Sequence, residues 1–212
     1  MLPFTADVLF SSFETYNRAL WPLPLLAVAI ALAMVLLTLW PVRGSDRAIG
    51  ALVALAWLWV GVGYHLLHFA ALDFAAPLYG AFFILEGLLF AWTAVARRLA
   101  FRFRADVFGW AGLALALAAA LAWPLADWWG HGWQSARVAG LAPGPTVAFT
   151  LGLLLLTAGC APLHLALIPL LWTLVAGATA WILTIPQDLA LPVAGLGAFA
   201  LILWKNRRQT RA

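Results

Sequence analysis

In a chain this apolar, chemistry falls to the few residues that can ionise, and the clearest of them is Glu86, set among Phe82, Phe83, Leu85, Gly87, Leu89 and Phe90. An ionisable side chain inside a hydrocarbon layer is costly, which makes it a functional candidate by default. Glu86 stands about ten residues into an apolar run, near mid-membrane at about 1.5 Å per residue. It reads either as a proton-relay or cation-binding carboxyl, or as a neutral acid hydrogen-bonded to another helix. The second group is Tyr64-His65-Leu66-Leu67-His68, whose two imidazoles are three residues apart and share a helix face. Such a pair can contribute two ligands to Zn or Cu, with Asp73, Asp127, His131 or Asp188 completing the set. The spacing is common by chance, and the same pair reads more simply as two interfacial hydrogen-bonding groups. A third feature runs from Gly130-His131-Gly132-Trp133 to Gly140 and on through Pro143-Gly144-Pro145-Thr146. Its Gly and Pro content suggests a shaped re-entry into the next helix, with Thr146 and Thr150 on one face.

Other chemistries are excluded by what the residues cannot supply. Two axial histidines from different helices are needed to hold a haem between them. His164 opens a span at the end opposite His65, so those two cannot pair. Retinal needs a mid-helix lysine, and Lys205, the single lysine, lies at a helix end. The spaced Ser, Asp and HxxxH set of membrane hydrolases is absent, as are a nucleotide-binding glycine loop and a nucleophile–base set. No cofactor is required, and an enzyme is the least favoured class. Cys160 is the only cysteine and so has no internal disulfide partner.

The elements that must position these groups are dictated by composition. Of 212 residues, 66% are hydrophobic and 9% charged, and mean hydropathy is +0.99. Globular domains run at about 45–50% apolar and about 25% charged residues. No water-soluble packing hides so much apolar surface, so lipid is the expected solvent. The apolar runs are continuous and rich in Leu and Ala, which favours helices over the alternating strands of a barrel. The expected fold is an all-α bundle of seven transmembrane helices over 19–42, 48–70, 76–96, 107–128, 143–160, 162–184 and 187–205, in one domain spanning 19–205. A short amphipathic helix within residues 1–18 is expected to lie in the interface, because Phe4, Val8, Leu9, Phe13 and Tyr16 recur at helical spacing. Residues 206–212 form a basic tail. Nothing in the first residues resembles a cleavable secretory signal.

Basic residues orient the bundle. Arg43, Arg47, Arg97, Arg98, Arg102, Arg104, Lys205, Arg207, Arg208 and Arg211 fall on one side, leaving Arg18 and Arg137 for the other. This predicts a bacterial cytoplasmic-membrane protein with its N-terminus outside and its C-terminus in the cytoplasm. The net charge of +4 then belongs to lipid headgroups and not to nucleic acid. Among 13 tryptophans, Trp57, Trp59, Trp92, Trp123, Trp172 and Trp181 are expected to pack deep between helices. The small residues at 61–63 and 176–180 are expected to permit close helix approach.

The stretches FETYNRALWP (13–22), WLWVGVGYHLLHFA (57–70), LYGAFFILEGLLFAW (78–92), GLAPGPTVAFTLGLLLL (140–156) and IPLLWTLVAGATAWILTIPQDLALPVAG (168–195) resemble an uncharacterised bacterial family of multi-span membrane proteins, a domain of unknown function. The resemblance implies a multi-span fold in a membrane and no established activity. Tyr64, His65, Thr146 and Asp188 follow the family pattern. Gly144 stands where a Cys is common, and Glu86 where the residue is often uncharged. Together these readings predict an outward-facing pocket built from Tyr64, His65, His68, Glu86, Thr146 and Asp188 that binds a cation or small polar solute. His65, His68 and His131 are its metal candidates. The alternative is an accessory subunit without chemistry of its own, partnered with other membrane proteins or with further copies of itself.

Overall fold

The structure is a computed structural model that describes residues 3–96 and 99–210. Arg97, Arg98 and Arg211, on which the orientation partly rests, lie outside the described residues. Among the described residues the chain is predominantly helical, and extended backbone pairs only at an isolated bridge between Phe101 and Thr157. In order come α1 (Ala6–Ala19), α2 (Leu23–Leu39), α3 (Ser45–Trp59), α4 (Ala76–Ala96), α5 (Val107–Leu117), α6 (Trp123–His131), α7 (Pro143–Leu155), α8 (His164–Ile182) and α9 (Ala190–Gln209). α3 continues without a break through a π-helical segment, Val60–Leu66, and α5 and α6 are joined by another, Ala118–Ala122.

Both π segments have local causes. Pro124 cannot donate a backbone hydrogen bond, and its ring would clash with the carbonyl four residues before it. The wider turn, with Trp123 N donating to Ala118 O, absorbs that misfit without a break in the rod. In the first segment Leu67 N reaches back five residues to Val62 O at 3.0 Å. There the chain also touches α4: a Cβ on Gly61 would stand 3.0 Å from the carbonyl oxygen of Gly80. Close backbone approach of this kind is what small residues permit in membrane bundles.

Five of the continuous helical rods among the described residues are long and apolar enough to cross a bilayer, and six if α1 and α2, bent by 90°, count as one broken span. The fifth expected span departs most from prediction. α7 ends at Leu155 after 13 residues, about 20 Å at 1.5 Å per residue, against a hydrocarbon core of about 30 Å. It has no need to match the bilayer, because it is the buried centre of the bundle: all of its residues except Gly144 are buried. Its C-terminal carbonyls meet a side chain instead of headgroups. Lys205 Nζ donates to Leu155 O at 2.8 Å, to Thr157 O at 2.6 Å and to Thr157 Oγ1 at 3.0 Å, placing a cationic side chain at the negative end of the helix dipole.

α1 packs its apolar stripe on the bundle, for Leu9, Phe10, Phe13 and Tyr16 are buried. The helix lies across one end of the molecule, tied by Asn17 Nδ2 to the carbonyls of Gln134 and Ala136 at 2.8 and 2.9 Å. That end carries Asp7, Glu14, Asp73, Asp127 and Asp188; the other carries most of the described basic residues. Of the tryptophans expected to be deep, Trp57 is fully buried, donating to Thr150 Oγ1 at 2.9 Å. Trp92 and Trp181 instead face outward, since helical phase, and not depth, decides which side a ring takes.

Candidate functional site

The π turn after α3 delivers Tyr64 and His65 inward at the acidic end, where both are buried. Stacked rings hold Tyr64 in place, with Phe13 of α1 at 5.0 Å and Phe69 at 5.3 Å between centroids. His65 enters a box of aromatic rings: Phe83 lies at 4.8 Å, Trp172 at 5.2 Å, Tyr79 at 5.9 Å and Phe69 at 6.1 Å. Neither imidazole nitrogen of His65 has a hydrogen-bond partner, and neither does Trp172 Nε1. Buried polar atoms are almost always paired, and leaving one unpaired costs about 1–3 kcal/mol. Two such side chains side by side therefore mark a place where a partner from outside the chain is to be expected.

A cavity of about 80 Å³ opens beside them. His65, Asp73, Tyr79, Trp172, Arg137 and Asp188 line it, and Phe4, Leu9 and Phe13 from the α1 side close over it. Arg137, in the connection between α6 and α7, is buried between two carboxylates. It donates from Nε and Nη2 to Asp127 at 2.8 and 2.7 Å, and from Nη1 and Nη2 to Asp188 at 2.6 and 2.8 Å. Its backbone N–H adds a bond to Asp127 Oδ2 at 2.9 Å, and the guanidinium lies 5.0 Å from the Phe10 ring centroid. Burial alone would weaken its hold on the proton. The hydrogen bonds and charges of Asp127 and Asp188 outweigh that, so Arg137 is held above the usual arginine range. The paired geometry on both sides is the bidentate fork that arginine makes and lysine cannot. Asp73 also lines the cavity, its Oδ1 accepting from Ala75 N at 2.9 Å, so the cavity wall carries two carboxylates, Asp73 and Asp188, against the one guanidinium of Arg137.

Three of the expected site residues come together here: Tyr64, His65 and Asp188. The others do not. His68 turns away to Ser12, with Nε2 2.9 Å from Ser12 Oγ. Thr146 lines a separate apolar cavity of about 350 Å³ and is committed to the chain, accepting from Gly140 N at 2.8 Å and donating to Ala142 O at 2.6 Å. Glu86 is buried without a hydrogen-bond partner, on the same face of α4 as Phe83 and one turn beyond it. His131 stacks on Phe10 at 3.5 Å. The three metal candidates thus stand apart, His65 unpartnered, His68 on Ser12 and His131 on Phe10, and among the described residues no group of three or more His, Cys, Asp or Glu side chains is placed to hold a metal ion.

Arg137, Tyr79 and Trp172 were not expected in the site. Arg137 carried a signal, being one of only two basic residues assigned to the acidic end. The two aromatic residues carried none, because rings at helical spacing are usual in any bundle.

A family of unknown function, DUF6064, matches residues 6–212. The chain belongs to this family. No curated protein and no solved structure matches it.

Proposed function

We propose that the chain is an integral protein of the bacterial cytoplasmic membrane, crossing it seven times with its N-terminus outside. In this reading it binds a small cationic solute in the cavity at its acidic, outward end, as a small transporter or a solute-binding protein. The observation that carries the reading is the pair of unpartnered side chains, His65 and Trp172, beside a negatively charged, ring-lined cavity. A small ammonium ion satisfies each part of it. Asp73 and Asp188 attract the charge, the rings of Tyr64, Tyr79 and Trp172 that line the cavity favour a cation at close range, and neutral imidazole accepts an N–H. About 80 Å³ is room for a few heavy atoms, since a water occupies about 30 Å³ of liquid volume.

Calorimetric titration of the purified protein with ammonium, methylammonium, tetramethylammonium and choline tests it. Saturable binding of at least one, abolished in His65→Ala and weakened in Asp73→Asn, is expected. Binding of none of them, or binding indifferent to His65→Ala, overturns the reading.

A second reading, an accessory subunit of a larger membrane complex or of a homo-oligomer, is favoured by α2. That helix is flanked by two apolar cavities of about 350 and 370 Å³ and presents Leu25, Leu26 and Leu36 outward. Native mass spectrometry after gentle solubilisation decides between the two: a co-purifying stoichiometric partner supports the subunit, and a lone monomer retaining solute supports the first reading.

A further inference from the structure

Glu86 does not line the solute cavity, and yet it sits on a line that leads from it. Tyr79, Phe83, Glu86, Phe90 and Thr93 fall at three- and four-residue spacing, so they share one face of α4. That face meets α8 above and below Glu86. Phe83 packs edge-on against Trp172 at 5.0 Å, and nearly three turns further on Thr93 Oγ1 lies 3.1 Å from His164 Nε2. These two contacts fix an antiparallel register in which Glu86 falls against the turn of Pro169. Pro169 is inside α8 and buried; lacking an N–H, it leaves the carbonyl of Leu165 without its usual helical partner. A buried carboxyl with no hydrogen bond and, one turn before Pro169, a backbone carbonyl released from its ladder therefore lie along the same contact between α4 and α8.

We infer that Glu86 carries a proton along a route through the bundle, from the cavity by way of His65 to the Thr93–His164 pair at the basic end, so that solute binding is coupled to proton movement. This rests on the solute cavity proposed above. Only O–H and N–H bonds change: Glu86 gives its proton toward Thr93, whose hydroxyl accepts and donates in turn, and takes another from the His65 side. Tyr79 and Thr93 are each about 10 Å along the helix from Glu86, at about 1.5 Å per residue. The Leu165 carbonyl, between Glu86 and His164 in this register, is an acceptor that a bridging water would use. The elements packed around Glu86 carry the titratable groups Tyr64 and His65 on the π turn and His164 on α8, with Tyr79 on α4 itself. Among the described residues no charged side chain pairs with it.

The test uses the full-length protein in phosphatidylethanolamine–phosphatidylglycerol liposomes with trapped pyranine. Potassium and valinomycin impose a potential, and methylammonium is the probe solute. Proton flux above that of protein-free liposomes, increased by methylammonium, is expected. Glu86→Gln, isosteric with the neutral acid, should lower flux to the protein-free level with methylammonium binding unchanged, and Glu86→Asp should restore part of it. Equal flux in wild type and Glu86→Gln, or no flux in the wild type, overturns the inference. Glu86-dependent flux without methylammonium binding sinks the cavity reading and leaves the proton route standing. Should Glu86→Gln not fold, Thr93→Val takes its place: loss of flux supports the route, and unchanged flux overturns it.

Discussion

Arg137 sits where a charge is costly, and its two carboxylates are the reason it can stay. Removing one member of a buried ionic set leaves an uncompensated charge and costs about 3–5 kcal/mol, whereas replacing the whole set by apolar or neutral groups is often close to neutral. Arg137→Met alone is therefore expected to lower the thermal unfolding temperature in detergent sharply. The triple change Asp127→Asn, Arg137→Met, Asp188→Asn should recover most of that loss while abolishing solute binding. A triple variant as unstable as Arg137→Met would mean that the residues around the triad, and not its charge balance, hold that end together. His65 and Trp172 differ in kind, since nothing in the chain satisfies them. Trp172→Phe removes an unpaired N–H from the cavity wall and is expected to leave the unfolding temperature unchanged or higher, with weaker solute binding by titration.

Among elements, α7 carries the bundle's packing and depends on its ends. Loss of Lys205 would take the side-chain donor from two backbone carbonyls, Leu155 O and Thr157 O, at the buried end of α7. Lys205→Met should thus cost about 1–3 kcal/mol, read as a fall in unfolding temperature with solute binding retained. The α3–α4 contact is sensitive in another way. A Cβ at Gly61 would meet Ile84 Cγ1 at 2.8 Å as well as the Gly80 carbonyl, so Gly61→Val must push the helices apart. Overpacking of this sort costs about 1–3 kcal/mol. Because Tyr64 and His65 ride on the same π turn, this variant is expected to lose solute binding as well as stability.

At the scale of the whole molecule, charge sorts the two ends, and the native cysteine offers a direct reading of orientation. Cys160 is exposed and lies by the basic end, where Asn206 bonds the backbone of Ala161 through both its amide atoms, at 2.8 Å each. A membrane-impermeant maleimide is expected to leave Cys160 unlabelled in intact spheroplasts and to label it after permeabilisation. In Cys160→Ser, an introduced Gln134→Cys should label without permeabilisation. The reverse pattern would invert the molecule and move the solute cavity to the cytoplasmic side.

Much of the architecture was legible in the residues themselves. Composition alone calls for helices in an apolar solvent, and punctuation such as Arg43–Arg47 or Ile185–Asp188 marks where they end, because breaks need polar groups and Pro or Gly wherever the chain turns. Singling out His65 and Glu86 as groups needing explanation was equally a matter of sequence, since a polar group in an apolar run is conspicuous from its neighbours. What the sequence could not say is which of these groups meet. His65 and His68 share a helical spacing, but the π turn and the crossing of α1 send one into the cavity and the other to Ser12. Arg137, Asp127 and Asp188 come from a connection, from α6 and from the turn before α9, and α7 can be shorter than the hydrocarbon is thick because its neighbours enclose it. Local patterns of apolar and polar residues decide where helices form and what solvent surrounds them. Packing between distant segments decides partners, and only the tertiary structure records it.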